Sequence, residues 1–221
     1  TYYNNLGVET HQLMPEEVFK IIHEYYHPFD TDEFLLPSNY FSRGNRLKDY
    51  IAPSMFAFKA KETEVGPSLT RIMYVHSYDR ELDDGFISEL LDNNFKIAVS
   101  KHITRVDKGI ALEKVRKEIN DLQGKMETRR EQNHKKGGNF MPFRMTEKLA
   151  ELEELQQRLA GSTVELFEVS IFISLSAENK DDLEELTKYI KTKAAKHQVK
   201  VNHLVRQQEK GMNSVLPFGV D

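Results

Sequence analysis

The chain has 221 residues and a formal net charge of −4, with 39% hydrophobic and 30% charged residues. This length and apolar content allow one large domain with a real core, while the acidic balance argues against a general nucleic-acid binder. Cysteine is absent, which excludes disulfides and thiolate metal sites and fits a cytosolic compartment. No apolar run approaches the roughly 18–20 residues that a membrane-spanning helix needs. Because the chain begins without methionine and stops abruptly at Asp221, we expect it to be part of a longer protein.

The amino-terminal part, residues 1–52, predicts one helix followed by a connector. Apolar residues recur at helical spacing between Pro15, which opens the helix, and Pro28, which ends it. Polar residues with further prolines continue to Pro53, as is typical of a connector. We interpret this part as the remnant of a truncated upstream segment.

The end of this helix matches the zinc-peptidase signature H-E-x-x-H, in the run His23-Glu24-Tyr25-Tyr26-His27. A zinc peptidase would need both histidines on one metal ion, the glutamate as general base and a third ligand from elsewhere. The helical pattern predicts that both histidines lie on the solvated face, and no clear third ligand follows, with Asp32 and Glu33 left open. We therefore expect no metal, and we keep a zinc metallopeptidase as the alternative.

Residues 53–206 change to a pattern that predicts an α+β domain. Alternating apolar and polar residues predict strands over 55–60, 71–78, 95–103, 169–175 and 199–205. A Gly66-Pro67 turn joins the first two strands, and Asn179 is a predicted helix cap. Val164 and Leu166 are out of phase with the strand that follows, which predicts a bulge near Phe167.

Apolar residues spaced by three and four over about residues 107–161 predict a long antiparallel helical hairpin. A glycine-containing tip at residues 134–139 separates its two arms. The order of the elements predicts a ferredoxin-like split β-α-β sandwich, with this hairpin inserted and an amino-terminal helical extension.

The tip of the predicted hairpin is locally basic. Seven lysines and arginines stand against three glutamates between residues 125 and 148. Aromatic residues beside this charge favour contact with anionic lipid headgroups, an acidic partner or DNA, and a solvated helix end is the alternative. The candidate contact residues are Arg129, Arg130, Lys135, Lys136, Phe140, Phe143 and Arg144.

A nucleotide site is not found in the sequence. Neither the phosphate-binding motif G-x-x-x-x-G-K-[ST] nor G-x-G-x-x-G occurs. Because such motifs supply the phosphate cradle and its lysine, we expect this chain to be no enzyme and to hold no cofactor.

The end of the chain resembles a known family. The last strand runs into Gln207-Gln208 and then into Asn213-Ser214-Val215-Leu216-Pro217-Phe218-Gly219. This segment resembles the NS-x-LP-x-G-like signature that closes the amino-terminal domain of type IV secretion (conjugation) ATPases of the TraC/TrbE/CagE type. Residues 71–91 and 96–103 resemble two further blocks of that family, and the order of the blocks matches over about residues 47–219.

The resemblance implies a non-catalytic docking and oligomerisation domain of a transfer motor at the cytoplasmic face of the cell membrane. Its partners would be inner-membrane channel subunits, its own carboxyl-terminal ATPase domain and further copies, without direct contact with nucleic acid. ATP and Mg would belong to the missing ATPase domain. Residues 207–221 would form the linker to that domain, with Gln207, Gln208, Asn213, Ser214, Leu216 and Pro217 as its candidate residues. A free-standing helical-hairpin adaptor is a further alternative.

Overall fold

The computed structural model describes residues 12–31, 33–35, 44, 46, 48–78, 85–135 and 142–216. These residues form seven helices and six strands, which confirms the predicted α+β class. In chain order they are α1 (Pro15–Tyr26), α2 (Lys48–Ile51), β1 (Phe56–Phe58), β2 (Thr63–Val65), β3 (Ser68–Ser77), α3 (Gly85–Leu91), β4 (Lys96–Arg105), α4 (Lys108–Lys135), α5 (Phe143–Ala160), β5 (Phe167–Ala177), α6 (Lys180–Lys196), β6 (Lys200–His203) and α7 (Gln208–Val215).

The six strands form one antiparallel sheet that is not closed, and β3 is its central strand. The path β1-β2-β3-β5-β4 runs across the sheet, and β6 also pairs with β3. One edge of β3 pairs with β5 from Leu69 to Tyr74. The other edge pairs first with β2 and then, from Met73 onwards, with β6.

The Gly66-Pro67 turn joins β2 to β3 rather than the predicted first strand to β3. The strand predicted over residues 55–60 corresponds to β1, and β2 is an additional short strand between β1 and the turn. Gly66 has a φ of 56°, in the left-handed region that glycine adopts without steric cost. A two-residue turn in this conformation brings Val65 directly opposite Ser68.

One face of the sheet packs against α3 and α6. Phe86 and Leu90 of α3 and Leu183 of α6 are fully buried against Met73 and Ile173 of the strands. The predicted cap of α6 is confirmed, because Asn179 Oδ1 accepts the backbone N–H of Asp182 at 2.9 Å. The cap satisfies one of the backbone donors that a helix start leaves without a partner.

The opposite face of the sheet packs against α1 and α7. Ile72 of β3 is buried against Met212 of α7, and Tyr25 of α1 packs in the same cluster. The Tyr25 hydroxyl lies 3.1 Å from Ser174 Oγ on β5, at hydrogen-bonding distance. Burial raises the pKa of Tyr25 well above its usual value, which keeps the hydroxyl protonated. The chain regions before and after the central sheet therefore share one core.

A buried arginine joins the first strands to α6. Arg71 is 3% exposed, and its Nη2 donates to Glu62 at 2.7 Å and to Glu184 at 2.8 Å. Its Nη1 donates to Thr187 Oγ1 at 2.9 Å, and its Nε donates to the Lys61 carbonyl at 3.2 Å. A buried guanidinium persists only where its charge and its N–H groups are paired, and here they are.

Residues 102–169 form a compact unit of their own, and the rest of the chain forms a second unit. Within the hairpin unit, α4 packs along α5 through a core that includes Val115, Ile119 and Leu159. Val164 and Leu166 pack against this hairpin core, which accounts for their change of phase relative to the later part of β5. No helix within the described residues is both long enough and apolar enough to cross a bilayer.

Candidate functional site

The described part of the hairpin tip is basic and exposed. Arg129 and Arg130 lie near the end of α4 and Arg144 near the start of α5, and all three are exposed. Phe143, beside Arg144, is 76% exposed. Lys135 is the last residue of α4, whereas two further predicted contact residues, Lys136 and Phe140, lie outside the described residues.

The ion pairs of the hairpin leave these arginines available. Lys148 Nζ lies 2.9 Å from Glu118 Oε1 and links α5 to α4, and Lys114 pairs with Glu168. Among the ion pairs between described residues, none includes Arg129, Arg130 or Arg144. The three guanidinium groups can therefore meet an external anionic surface without breaking an ion pair between described residues.

The predicted linker residues begin with a helix that packs on the sheet. Gln208 is 2% exposed; its Oε1 accepts the Ile72 N–H at 2.8 Å and its Nε2 donates to the Leu204 carbonyl at 2.7 Å. Leu216 is 4% exposed and packs with Ile22 and Ile51. The segment is thus held against α1 and α2 through Leu216 and against β3 through Gln208.

The other predicted linker residues are placed more loosely. Gln207 precedes α7 and is exposed, as is Asn213 within the helix. Ser214 is half-buried, and its hydroxyl donates to the Lys210 carbonyl at 3.0 Å. Pro217 lies outside the described residues.

The histidines of the H-E-x-x-H motif line an open cleft of about 620 Å³ at the end of α1. Their rings stack, with centroids 4.2 Å apart and planes inclined by 18°. The prediction that both lie on the solvated face is wrong. Phe34 stacks on His23 with a centroid distance of 4.1 Å, and the His27 side chain is only 19% exposed.

His27 is held between a carbonyl and a carboxylate. Its Nε2 lies 3.3 Å from the Ile51 carbonyl oxygen, and its Nδ1 lies 3.5 Å from Asp30 Oδ2. Both partners accept hydrogen bonds, so each nitrogen of the His27 ring faces an acceptor. At His23, burial lowers the pKa, and the neighbouring His27 lowers it further, so the neutral ring is favoured.

Asp30 completes a group that the sequence analysis missed. One ligand-type atom from each of His23, His27 and Asp30 lies within 4.8 Å of the others, an arrangement that could hold a metal ion. Glu33, considered as a third ligand, instead pairs with Lys20 at 3.0 Å. Asp32 lies outside the described residues. Pro28 is the sequence feature that could have indicated Asp30 as a ligand. Because the helix stops at this proline, the chain can turn back towards His27 within two residues.

Glu24, which would be the general base in a zinc peptidase, is exposed and lines the same cleft. It is not part of the three-residue group. The structure thus brings both motif histidines together with Asp30 rather than with the motif glutamate.

No family model matches this chain, and no curated protein matches it. The resemblance to the conjugation ATPases stays a prediction.

Proposed function

We propose that this chain is a non-catalytic docking and oligomerisation domain of a type IV secretion motor ATPase. In this proposal it positions the motor on inner-membrane channel subunits at the cytoplasmic face of the membrane. ATP and Mg are bound by a separate ATPase domain that follows it in the parent protein. The domain itself neither binds nor hydrolyses ATP, consistent with the lack of a phosphate-binding motif in its sequence.

We also propose that the fold is ferredoxin-like. The two units β3-α3-β4 and β5-α6-β6 are both β-α-β, with α3 and α6 packed in one core on the same face of the sheet. The order of the strands supports this arrangement. β6 pairs with β3, β3 pairs with β5, and β4 lies next to β5. On this basis α1, α2, β1, β2 and α7 are additions to the sandwich, and the hairpin of α4 and α5 is an insertion.

The observation that carries the docking proposal is the hairpin with its exposed basic end. A compact unit with its own core projects two arginines on α4 and one on α5, beside an exposed phenylalanine. Arginine and aromatic residues are enriched where proteins meet their partners, while charge that serves only solubility needs no such aromatic neighbour. The complementary partner is an acidic surface of a channel subunit.

The packing of α7 supports a rigid connection to the motor domain. Because Gln208, Met212 and Leu216 are buried in the same unit as the sheet, a force applied after residue 216 acts on the sheet itself. In the proposed parent protein the connection to the motor domain is therefore rigid at least as far as Leu216.

Charge reversal at the hairpin tests the docking proposal. In the full-length parent protein, the double variant Arg129→Glu/Arg130→Glu should reduce transfer by roughly tenfold or more, because each lost 1.4 kcal/mol of binding is a factor of ten. Transfer frequency and co-purification of the channel subunits measure the effect.

The matched control is Lys188→Glu/Lys191→Glu, which reverses two exposed charges on α6. It changes net charge by the same amount and should leave transfer near its original level. Unchanged transfer in the folded arginine variant, or an equal loss in both variants, would overturn the proposed role of the hairpin.

A further inference from the structure

We propose that His23, His27 and Asp30 form a binding site for a divalent transition-metal ion of the zinc class. This site is independent of the docking function proposed above. It also differs from a zinc-peptidase site in its ligands, since its carboxylate comes from the turn after the helix.

The helix and its end determine the geometry. His23 lies in the last turn of α1 and His27 caps the helix four residues later, so their rings are neighbours at its end. Pro28 stops the helix, and the backbone N–H of Asp30 donates to the His27 carbonyl at 3.2 Å, which folds the turn back onto the last helical turn. This places the Asp30 carboxylate on the side of the two rings.

The distance between His27 and Asp30 fits a shared ion. Nδ1 and Oδ2 are 3.5 Å apart, longer than the roughly 2.7–2.9 Å of a charge-assisted hydrogen bond. Two ligands at roughly 2.1 Å from a tetrahedral zinc ion are about 3.4 Å apart. The two atoms therefore already have the spacing that an ion between them requires.

The surroundings hold the two rings in a near-parallel stack, so the rings turn apart by a rotation of their side chains when both lone pairs reach one ion. In the neutral, metal-binding form of His27, the Ile51 carbonyl accepts from Nε2 and the lone pair of Nδ1 faces Asp30. Phe34 stacks on His23 and limits its rotation. Metal-bound histidines are usually oriented in this way, by a carbonyl or carboxylate on the other ring nitrogen and by a hydrophobic neighbour.

The ligand types select the ion. Two imidazole nitrogens and one carboxylate oxygen suit zinc and its neighbours, whereas calcium and magnesium prefer oxygen ligands throughout. The fourth position faces the open cleft that the three residues line, where a water molecule can complete a tetrahedron. The bound ion would tie the end of α1 to its following turn and, through Ile51, to α2.

The test uses purified protein that has been stripped of metal with a chelator. Zinc is titrated by calorimetry, and cobalt is titrated by visible absorption, which distinguishes tetrahedral from octahedral coordination. We expect one ion per chain at micromolar protein concentration. We also expect zinc to raise the thermal unfolding midpoint, since binding to the folded state alone stabilises it.

Paired variants identify the ligands. His23→Ala and Asp30→Asn should weaken zinc binding by more than the roughly 10–100-fold that loss of an outer-shell partner costs. Asp30 is exposed, so the Asp30→Asn protein should fold normally by circular dichroism. Glu24→Gln neutralises another exposed carboxylate at the same cleft and should bind zinc as before, as should His76→Ala on β3.

Three results would overturn the site: no stoichiometric binding by the parent protein, binding unchanged in a folded Asp30→Asn protein, or binding lost in Glu24→Gln. The last result would assign the carboxylate ligand to the motif glutamate instead.

Discussion

At Gly211, the absence of a side chain lets α7 approach β3 closely. A Cβ atom at this position would collide with the Leu204 side chain and come within 2.8 Å of Ile72 Cγ2. Ile72 is fully buried, and its Cβ and Cγ2 would lie 3.1 and 2.8 Å from the new atom, whereas Leu204 is half-buried and the end of its side chain can shift. A methyl group at this position therefore requires α7 or the buried Ile72 side chain to move.

We predict that Gly211→Ala lowers the free energy of unfolding. Overpacking typically costs about 1–3 kcal/mol. Alanine recovers at most about 1 kcal/mol of helix propensity over glycine. Chemical denaturation measures the change, and an equally stable or more stable variant would contradict the close approach.

Gly124 provides the matched control, since it lies within α4 and a Cβ there would meet nothing within 4 Å. Gly124→Ala should stabilise the hairpin by up to about 1 kcal/mol, because only the propensity gain remains. Thermal unfolding followed by helical circular dichroism reports it.

Between elements, a single carboxylate joins α3 to the end of α6. Glu89 accepts from Lys193 Nζ at 2.6 Å, from His197 Nε2 at 2.6 Å and from Lys196 Nζ at 3.0 Å. These hydrogen bonds, that from Lys193 first, lower the pKa of Glu89 to about 2. The three donors also lie in the last turn of α6 or at its cap, where positive charge favours the helix dipole.

This arrangement predicts a pH dependence of stability. The pKa of Glu89 is lower in the folded protein than its ordinary value of 4.5, so protonation favours the unfolded chain. The stabilisation is complete above pH 4.5 and is lost as the pH falls towards 2. Glu89→Gln should therefore be less stable than the parent protein at neutral pH, with a difference that shrinks over this range.

Thermal unfolding at a series of pH values measures the difference. Glu185→Gln changes an exposed carboxylate on α6 and should follow the parent protein at every pH. A constant gap between Glu89→Gln and the parent protein down to pH 2 would show that the three cations do not stabilise the ionised form.

For the whole molecule, the division into two units predicts that the hairpin can be removed. The chain leaves and re-enters the hairpin at neighbouring points, because the Val106 N–H donates to the Leu166 carbonyl at 2.9 Å and Lys108 Nζ donates to Ser162 Oγ at 2.7 Å. The core formed by the sheet, α3 and α6 includes no hairpin residue. A short glycine-serine turn can therefore replace residues 108–162.

We expect the shortened protein to unfold cooperatively and to keep the dispersed amide spectrum of a folded core. In the full-length parent it should lose transfer if the hairpin docks on the channel. The control is deletion of α7. Because this helix contains the buried Met212 and its Gln208 hydrogen-bonds to the backbone of β3, the deletion should destabilise the protein strongly. A shortened protein that fails to fold would contradict the independence of the two units.

Local patterns in the sequence were sufficient to predict most of the elements. Proline at the start and after the end of α1, the cap at Asn179 and the three-and-four spacing of the hairpin act over one or two turns, so each can be recognised without knowing the fold. The class of the fold follows from the order of these elements. The H-E-x-x-H motif was recognised in the same way, but the sequence did not indicate which carboxylate lies beside its two histidines.

Only the tertiary structure could decide the contacts between residues far apart in the chain. Gln208 meets the backbone of Ile72 across 136 positions, and Arg71 meets Thr187 across 116. Residue pairs this far apart in the sequence produce no periodic pattern in it, because their contact depends on how the sheet brings its strands together. Asp30 is close in sequence to His27, yet its proposed role as a ligand depends on the direction of the turn between them. Pro28 permits this turn by ending the helix, and packing against Ile51 and Phe34 fixes its direction. The sequence thus determined where helices and strands form, and the packed sheet determined which side chains meet, because burial and long-range hydrogen bonds exist only once the chain has folded.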